Sequence, residues 1–532
     1  MSAASLPSAL FERLRGCNPT EYPRGRSLTT ERRGARGRSV ARNTVLNVIG
    51  QAAPLVVGFL ALPFTVRGLG PERFGILSLS WVVLGYFSLF EFGLSRATTK
   101  FVAEAIGKGE QQRLRGLIWS SMAFHIILGL LGGTILAAST PLLVEHLLKV
   151  PVALRHEARI TLLLMACSVP VVVASAGLRG VLEGDQRFGL VNAVKIPSTS
   201  LTFIIPAVGV PLAWSLPLDV FFMLLSRVGA GVAYLLLCLR LVPSLRSGFA
   251  IHGRELRALV GFGGWVSVSN TIGPILIYFD RFLIGSVLSM AAVAYYAAPY
   301  EAVTKLWILP TSAATTLLPA FSVVGTFDRA SVERLFALGV KYVVLAMAPL
   351  VMVIVMLAHE ILTVWLGADY AAHSTLVLQI LAIGILVHSL GYVPWSLLQA
   401  DGRPDVTSKF HMAHVLPYLG LAWVLVHRYG ITGAAAAWAV RGSADGLFHF
   451  WAAYRVGRLS RHTLRDHSLG SALLIVGALL AGLSCAAALS DNLALRIMAL
   501  VGCLLAFTLA TWKHALDHRD RTVLASILGS GG

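Results

Sequence analysis

Charge is scarce in this 532-residue chain, at 13% of the sequence, and acidic residues are the scarcer part, with 26 Asp and Glu against 44 Lys and Arg. So little charge beside 56% hydrophobic residues excludes a disordered, solvated polymer, and a mean hydropathy of +0.74 suits a bundle whose outer surface is lipid. Cysteine is nearly absent: Cys17, Cys167, Cys238, Cys485 and Cys503 stand far apart without paired spacing. Neither a disulfide framework nor a metal site is indicated, and no cofactor is expected. No Gly-rich phosphate loop follows a strand pattern, which argues against ATP hydrolysis by this chain. Energy for any work must then come from an ion gradient, the membrane potential or the substrate gradient. Residues 1–42 carry nine arginines but no apolar core long enough for a signal peptide, and are expected to form a mostly disordered cytoplasmic arm. That arm either holds anionic head groups or only sets topology.

What the chain has is apolar length. About fourteen stretches of spanning length divide it, at 43–66, 74–95, 117–140, 159–178, 190–213, 219–239, 261–284, 293–322, 339–358, 375–398, 411–427, 431–454, 469–490 and 496–512. A spanning helix needs roughly 20 apolar residues, because hydrocarbon offers no partner for backbone N–H and C=O groups. Lys and Arg fall on every second connection: 33 on one side, seven on the other and four (Arg227, Arg281, Lys305 and Arg441) inside spans. The positive-inside rule places the richer side, and with it both termini, in the cytoplasm of a multi-pass inner-membrane protein. This distribution also accounts for the net charge of +18 without nucleic acid as a partner.

The first two spans resemble the seventh and eighth, about 219 residues later. Gln51-Ala-Ala-Pro54 answers to Thr271-Ile-Gly-Pro274, and the outer turn at Leu69-Gly-Pro-Glu-Arg-Phe-Gly-Ile-Leu77 to Leu288-Ser-Met-Ala-Ala-Val-Ala-Tyr-Tyr296. An offset of six spans, an even number, preserves orientation, so the repeat is parallel. The expected fold is therefore an all-α polytopic bundle: an arm (1–42), a six-helix lobe (43–240), a parallel six-helix lobe (241–456) and a C-terminal helix pair with its tail (457–532). Two facing lobes create an interface that can open to either side in turn, which suggests transport. Gly129-Leu-Leu-Gly132 and Gly261-Phe-Gly-Gly264 are packing signals.

Ionisable groups in hydrocarbon cost several kcal/mol unless they pair or face water, so those present mark a cavity or a structural pair. Arg227, Arg281, Lys305 and Arg441 are candidates for a cationic cavity that receives an anionic head group, with arginine gripping phosphate through its planar fork. The competing reading is structural. Glu301 with Lys305, and Arg441 with Asp445, are four apart and share a helical face, and Asp280 adjoins Arg281. Glu91, Glu301 and Asp445 are candidates for proton or ion coupling, since a carboxylate responds to desolvation and to nearby cations. Aromatics including Trp81, Tyr278, Tyr295, Tyr296, Tyr300, Trp307, Trp395, Trp438 and Trp451 either stack on sugar rings or simply anchor and pack. No outer connection is long enough to present a catalytic constellation. The longest, around Pro141 to Ala158, carries His146 and His156 as expected solvated residues.

Several runs resemble the Wzx-type polysaccharide or O-antigen flippases: Asn43-Thr-Val-Leu-Asn47, Arg67-Gly-Leu-Gly-Pro-Glu-Arg-Phe-Gly75, Glu91-Phe-Gly-Leu94 and Ala103-Glu-Ala-Ile-Gly-Lys-Gly-Glu110. In the second lobe, Asp280-Arg-Phe-Leu-Ile-Gly285, Val293-Ala-Tyr-Tyr-Ala297 and Leu318-Pro319 add to the likeness, which covers roughly 40–455. The resemblance implies the fold of the multidrug/oligosaccharidyl-lipid/polysaccharide exporter superfamily. It also implies alternating access and a polyprenyl-diphosphate-linked oligosaccharide moved from inner to outer leaflet for cell-surface lipopolysaccharide or exopolysaccharide. A polysaccharide polymerase or glycosyltransferases are candidate partners. The alternatives are a drug or metabolite antiporter of the same superfamily, which should prefer an acidic cavity, and a membrane glycan polymerase or ligase, disfavoured by the short outer loops.

Overall fold

Helices build nearly all of the described residues, and no strand occurs among them. The structure, a computed structural model, describes residues 30–257, 259, 278–324, 329–455 and 492–515, with isolated positions between 456 and 491. Most of the arm, most of the span expected at 261–284 with Trp265 and Pro274, and most of that at 469–490 lie outside the described residues.

In chain order the elements are α1 (Thr30–Lys108), α2 (Gln111–Leu142), α3 (Arg155–Gly184), α4 (Phe188–Gly209) and α5 (Leu216–Leu241). A helical stretch at 278–287 leads to α6 (Met290–Thr304) and α7 (Ile308–Val324), followed by α8 (Arg329–Met356), α9 (Ala358–Trp365) and α10 (Ala368–Leu390). The last are α11 (Tyr392–Ala400), α12 (Pro404–Arg455) and α13 (Leu493–Ala510). Nine stretches among the described residues are long and apolar enough to cross a membrane. Two of them contain a break that makes each a pair of spans. In α1 the chain turns at Gly70 (φ 73°, ψ 167°) and in α12 at Gly430 (φ 60°, ψ −138°). Both glycines occupy the left-handed region that a Cβ disfavours, and Pro71, with its fixed φ, restarts the helix directly after Gly70. The resulting arms match the spans expected on either side of 67–73 and 428–430, and the described helices are consistent with the expected fourteen.

α1 packs on α3 and α4, and α3 on α2 and α5, forming the first half. In the second half α10 packs on α12, α8, α9 and α6, and α7 on α11. Small residues permit close approach: a Cβ on Gly129 or Gly133 of α2 would come within 2.6 or 2.7 Å of the α3 backbone at Pro170 and Ala166. Gly129 and Gly133, one helical turn apart, thus form a close approach to α3.

Contacts between helices α1–α5 and the helices from residue 278 onward gather at one end, that of 67–73, 141–158, 285–292 and 359–374. There the Lys149 N–H donates to Gly285 O at 2.8 Å and its ammonium to Val287 O, while Arg67 Nη2 donates to Val364 O at 2.7 Å. Trp365 Nε1 donates to Phe59 O at 3.0 Å, and its ring stacks on Phe59 with centroids 4.9 Å apart. α1 and α6 pack across the same boundary, and Phe74, Leu77, Ile284, Met290 and Val293 join one core. The halves are clasped at this end.

Candidate functional site

The charges expected inside the membrane converge in the second half, around α6 and the second arm of α12. On α6, Tyr296 and Tyr300 are one turn apart, as are Glu301 and Lys305 on the adjoining stripe. The helix tightens into a 3₁₀ turn at Lys305–Trp307, which marks the middle of the expected span and turns Trp307 toward α10 and α12, where its ring lies 5.5 Å from that of His388 and 5.9 Å from that of Trp438.

Glu301 holds two cations at once. Its Oε1 accepts from Arg281 Nη2 at 2.9 Å and its Oε2 from Lys305 Nζ at 2.9 Å. The Arg281 side chain is 2% exposed, against 40% for Lys305, so the buried member of the trio depends on Glu301 while Lys305 reaches solvent. Asp280 does not pair with the neighbouring guanidinium. One of its oxygens accepts the Arg281 backbone N–H at 2.8 Å and the other accepts the Tyr296 hydroxyl. The Glu301–Lys305 pair expected from spacing is formed, and Arg281 joins it.

Arg441 behaves differently. Its guanidinium lies 5.5 Å from the ring centre of Tyr418 and 5.8 Å from that of Trp438, a cation–π cage, and its Nε and Nη2 have no hydrogen-bond partner. The residue one turn away, Asp445, is taken by histidines. Oδ1 lies 2.9 Å from His411 Nε2, Oδ2 lies 3.2 Å from His388 Nε2, and His449 Nδ1 stands 3.7 Å from Oδ2. The intrahelical Arg441–Asp445 ion pair that spacing allows is thus absent among the described residues.

Two aromatic rings connect the arginines. Arg281 sits 4.5 Å from the centre of Tyr300, Tyr300 meets Trp438 edge-on at 5.6 Å, and Trp438 flanks Arg441. Formally the three cations Arg281, Lys305 and Arg441 balance Asp280, Glu301 and Asp445. The carboxylates are engaged elsewhere, however, and Arg441 keeps its donors. Around it the Tyr300 and Tyr418 hydroxyls and the Trp307 and Trp438 indole N–H groups are buried without partners as well. A buried donor left unmatched costs about 1–3 kcal/mol, so a cluster of them beside a guanidinium is built to receive an acceptor with several oxygens.

Arg227 is not brought to this centre. It lies on α5 in the first half, where its Nη2 is 3.5 Å from Thr202 Oγ1 on α4. The backbone at Glu91 is helical, while its side chain lies outside the described residues. Among the other expected aromatics, Trp81 packs between Phe74 and Phe203, Trp451 points outward, and Tyr295 bonds Asp369 at 2.7 Å at the clasped end. The sequence reading missed Tyr418, His388, His411 and His449. Histidines within apolar spans were the available signal, since they too are ionisable groups out of place in hydrocarbon.

A family profile described as a polysaccharide biosynthesis protein matches residues 40–324. The chain is similar to a putative O-antigen transporter of Shigella flexneri, with 30% identity over 414 residues that cover 78% of this chain and 97% of the relative. Among solved structures it resembles the lipid II flippase MurJ in an inward closed conformation, with a TM-score of 0.70 and 12% identity over 88% of this chain and 98% of the other. It also resembles an inward-facing multidrug resistance transporter of the MATE family and the MOP superfamily, with a TM-score of 0.66 and 16% identity over 77% of this chain and 97% of that one. At these identities the two structures share the fold.

Proposed function

This chain belongs to the polysaccharide biosynthesis protein family, and from that membership we propose that it is a flippase carrying a polyprenyl-diphosphate-linked oligosaccharide from the inner to the outer leaflet for cell-surface polysaccharide synthesis. It is a transporter and not an enzyme. The observation that carries the substrate reading is Arg441, caged by Tyr418 and Trp438 with two donor nitrogens free. A diphosphate offers several oxygens to that fork and to the Tyr300, Tyr418, Trp307 and Trp438 donors, and the same rings offer faces to sugars. Arg281 is held by Glu301 and positions Tyr300 beneath it. Lys305, the half-exposed cation, is the point at which a head group first meets the centre.

The lobes are 43–240 and 241–456, with 457–532 as an appendix. Both termini lie in the cytoplasm of a bacterial inner membrane, an orientation supported by the 33 to seven division of Lys and Arg. In that orientation the clasp of Lys149, Arg67, Phe59 and Trp365 closes the outer side and the transporter faces inward. Passage of the head group requires these few bonds to part while the opposite ends approach, and the lipid tail stays in the bilayer. A polysaccharide polymerase or glycosyltransferase at the membrane would supply or consume the substrate.

The test is made in proteoliposomes, as the fraction of a polyprenyl-diphosphate oligosaccharide that becomes accessible to an external glycan-cleaving enzyme. Wild type should raise this fraction and Arg441→Ala, folded, should not. No rise with several glycans, under an imposed proton gradient and membrane potential, would transfer the assignment to the antiporter reading.

A further inference from the structure

We propose that His411, Asp445 and His449, with His388 as a fourth donor, form a binding site for a divalent transition-metal ion of the zinc class. The donors come from α10 (His388), the first arm of α12 (His411) and its second arm (Asp445, His449), so only the folded second half assembles them. One donor atom from each of His411, Asp445 and His449 lies within 4.8 Å of the others. The separations from the Asp445 oxygens are 2.9 Å to His411, 3.2 Å to His388 and 3.7 Å to His449. A tetrahedral ion with bonds of about 2.0–2.1 Å sets its ligand atoms roughly 3.3–3.5 Å apart. The separations of the imidazoles from the two Asp445 oxygens bracket that edge.

A second observation points to a ligand. His449 is 3% exposed, and neither of its ring nitrogens has a hydrogen-bond partner; His388 Nδ1 is also buried without one. Buried imidazoles are normally satisfied, because their N–H and lone pair are desolvated otherwise. In the arrangement seen, His411 and His388 direct their Nε2 atoms at the one carboxylate, which leaves nothing for His449 to bond. Placing a proton on every imidazole would gather three cations about one carboxylate, one helical turn from Arg441, at a buried site. A divalent ion on three neutral imidazoles and one carboxylate takes up the free lone pair of each imidazole and adds less charge. The donor set of imidazole nitrogens and one carboxylate without thiolate suits zinc, cobalt, nickel or copper, and not the all-oxygen shells of magnesium or calcium.

His411, 35% exposed, is the entry point; His388 is 12% exposed, and Asp445 and His449 are buried. A bound ion would tie α10 to both arms of α12 and fix the turn that carries Arg441. This inference does not depend on the transport reading.

The experiment uses the full chain, purified without a polyhistidine tag, stripped by chelator and titrated with Zn²⁺ against a chromophoric chelator, with Co²⁺ absorption reporting the geometry. We expect one tight equivalent in wild type, a tetrahedral cobalt spectrum, and affinity at least about tenfold weaker in His411→Ala and His449→Gln. His411 is partly exposed, so its substitution keeps the test valid if the His449 variant fails to fold. Absence of a tight equivalent in wild type, or equal affinity in wild type and the folded variants, overturns the proposal and leaves an adventitious ion only.

Discussion

The two halves are charged differently. In the first, ionic side chains pair near the helix ends: Arg73 with Glu157 at 3.1 Å, Arg113 with Glu110 at 3.0 Å, and Arg179 with Glu183 at 3.6 Å. Its buried acid, Asp219, lies in the first turn of α5, where the helix N-terminus favours an anion. In the second half Asp280, Arg281, Arg441 and Asp445 are buried together among aromatic rings. Burying charge costs several kcal/mol per ion, so this concentration of it in the second half sets the two halves apart. On the function proposed above, the second half would hold the cargo and the first would be the surface against which it moves.

Within the second half the contrast sharpens to Arg281, saturated by Glu301, against Arg441, left free. The largest effect is therefore expected from Glu301→Gln, which strands Arg281 at 2% exposure without its carboxylate and should destabilise the protein by about 3 kcal/mol, read by thermal unfolding in detergent. Next, Arg441→Ala should reduce flipping at least about tenfold, the equivalent of about 1.4 kcal/mol, while leaving unfolding nearly unchanged, because no ion pair is lost. Gly430→Ala places a Cβ at φ 60° and should cost about 1–2 kcal/mol of stability, with flipping reduced only as far as folded protein is lost. Smallest is Arg227→Ala in the first half, with a flipping rate within about twofold of wild type and under about 0.5 kcal/mol of stability. Loss of flipping in that last variant would erase the contrast between the halves.

Much of this arrangement was legible in the sequence, and the remainder fails for identifiable reasons. The Leu69-Gly-Pro-Glu turn marked the break in α1, since Gly followed by Pro ends one helix and starts the next. The spacing of Glu301 and Lys305 indicated their pair, because neighbours on one helix are a local matter. The same spacing misdirects for Arg441 and Asp445, whose partnership was decided by His388 and His411, 57 and 34 residues away from Asp445. Periodicity places a residue on a face of its helix and is silent about the helix opposite. Arg227 illustrates this: an intramembrane cation identical in type to Arg441, on a helix whose neighbour sets Thr202 Oγ1 3.5 Å from its guanidinium.

The most direct test of the centre as the diphosphate site is a binding titration of polyprenyl diphosphate, without sugars, on the purified wild type, Arg441→Ala and Arg227→Ala. The account predicts affinity about tenfold or more weaker in Arg441→Ala and unchanged in Arg227→Ala. Equal affinity in wild type and Arg441→Ala, or a loss confined to Arg227→Ala, would contradict it and move the head-group site to the first half.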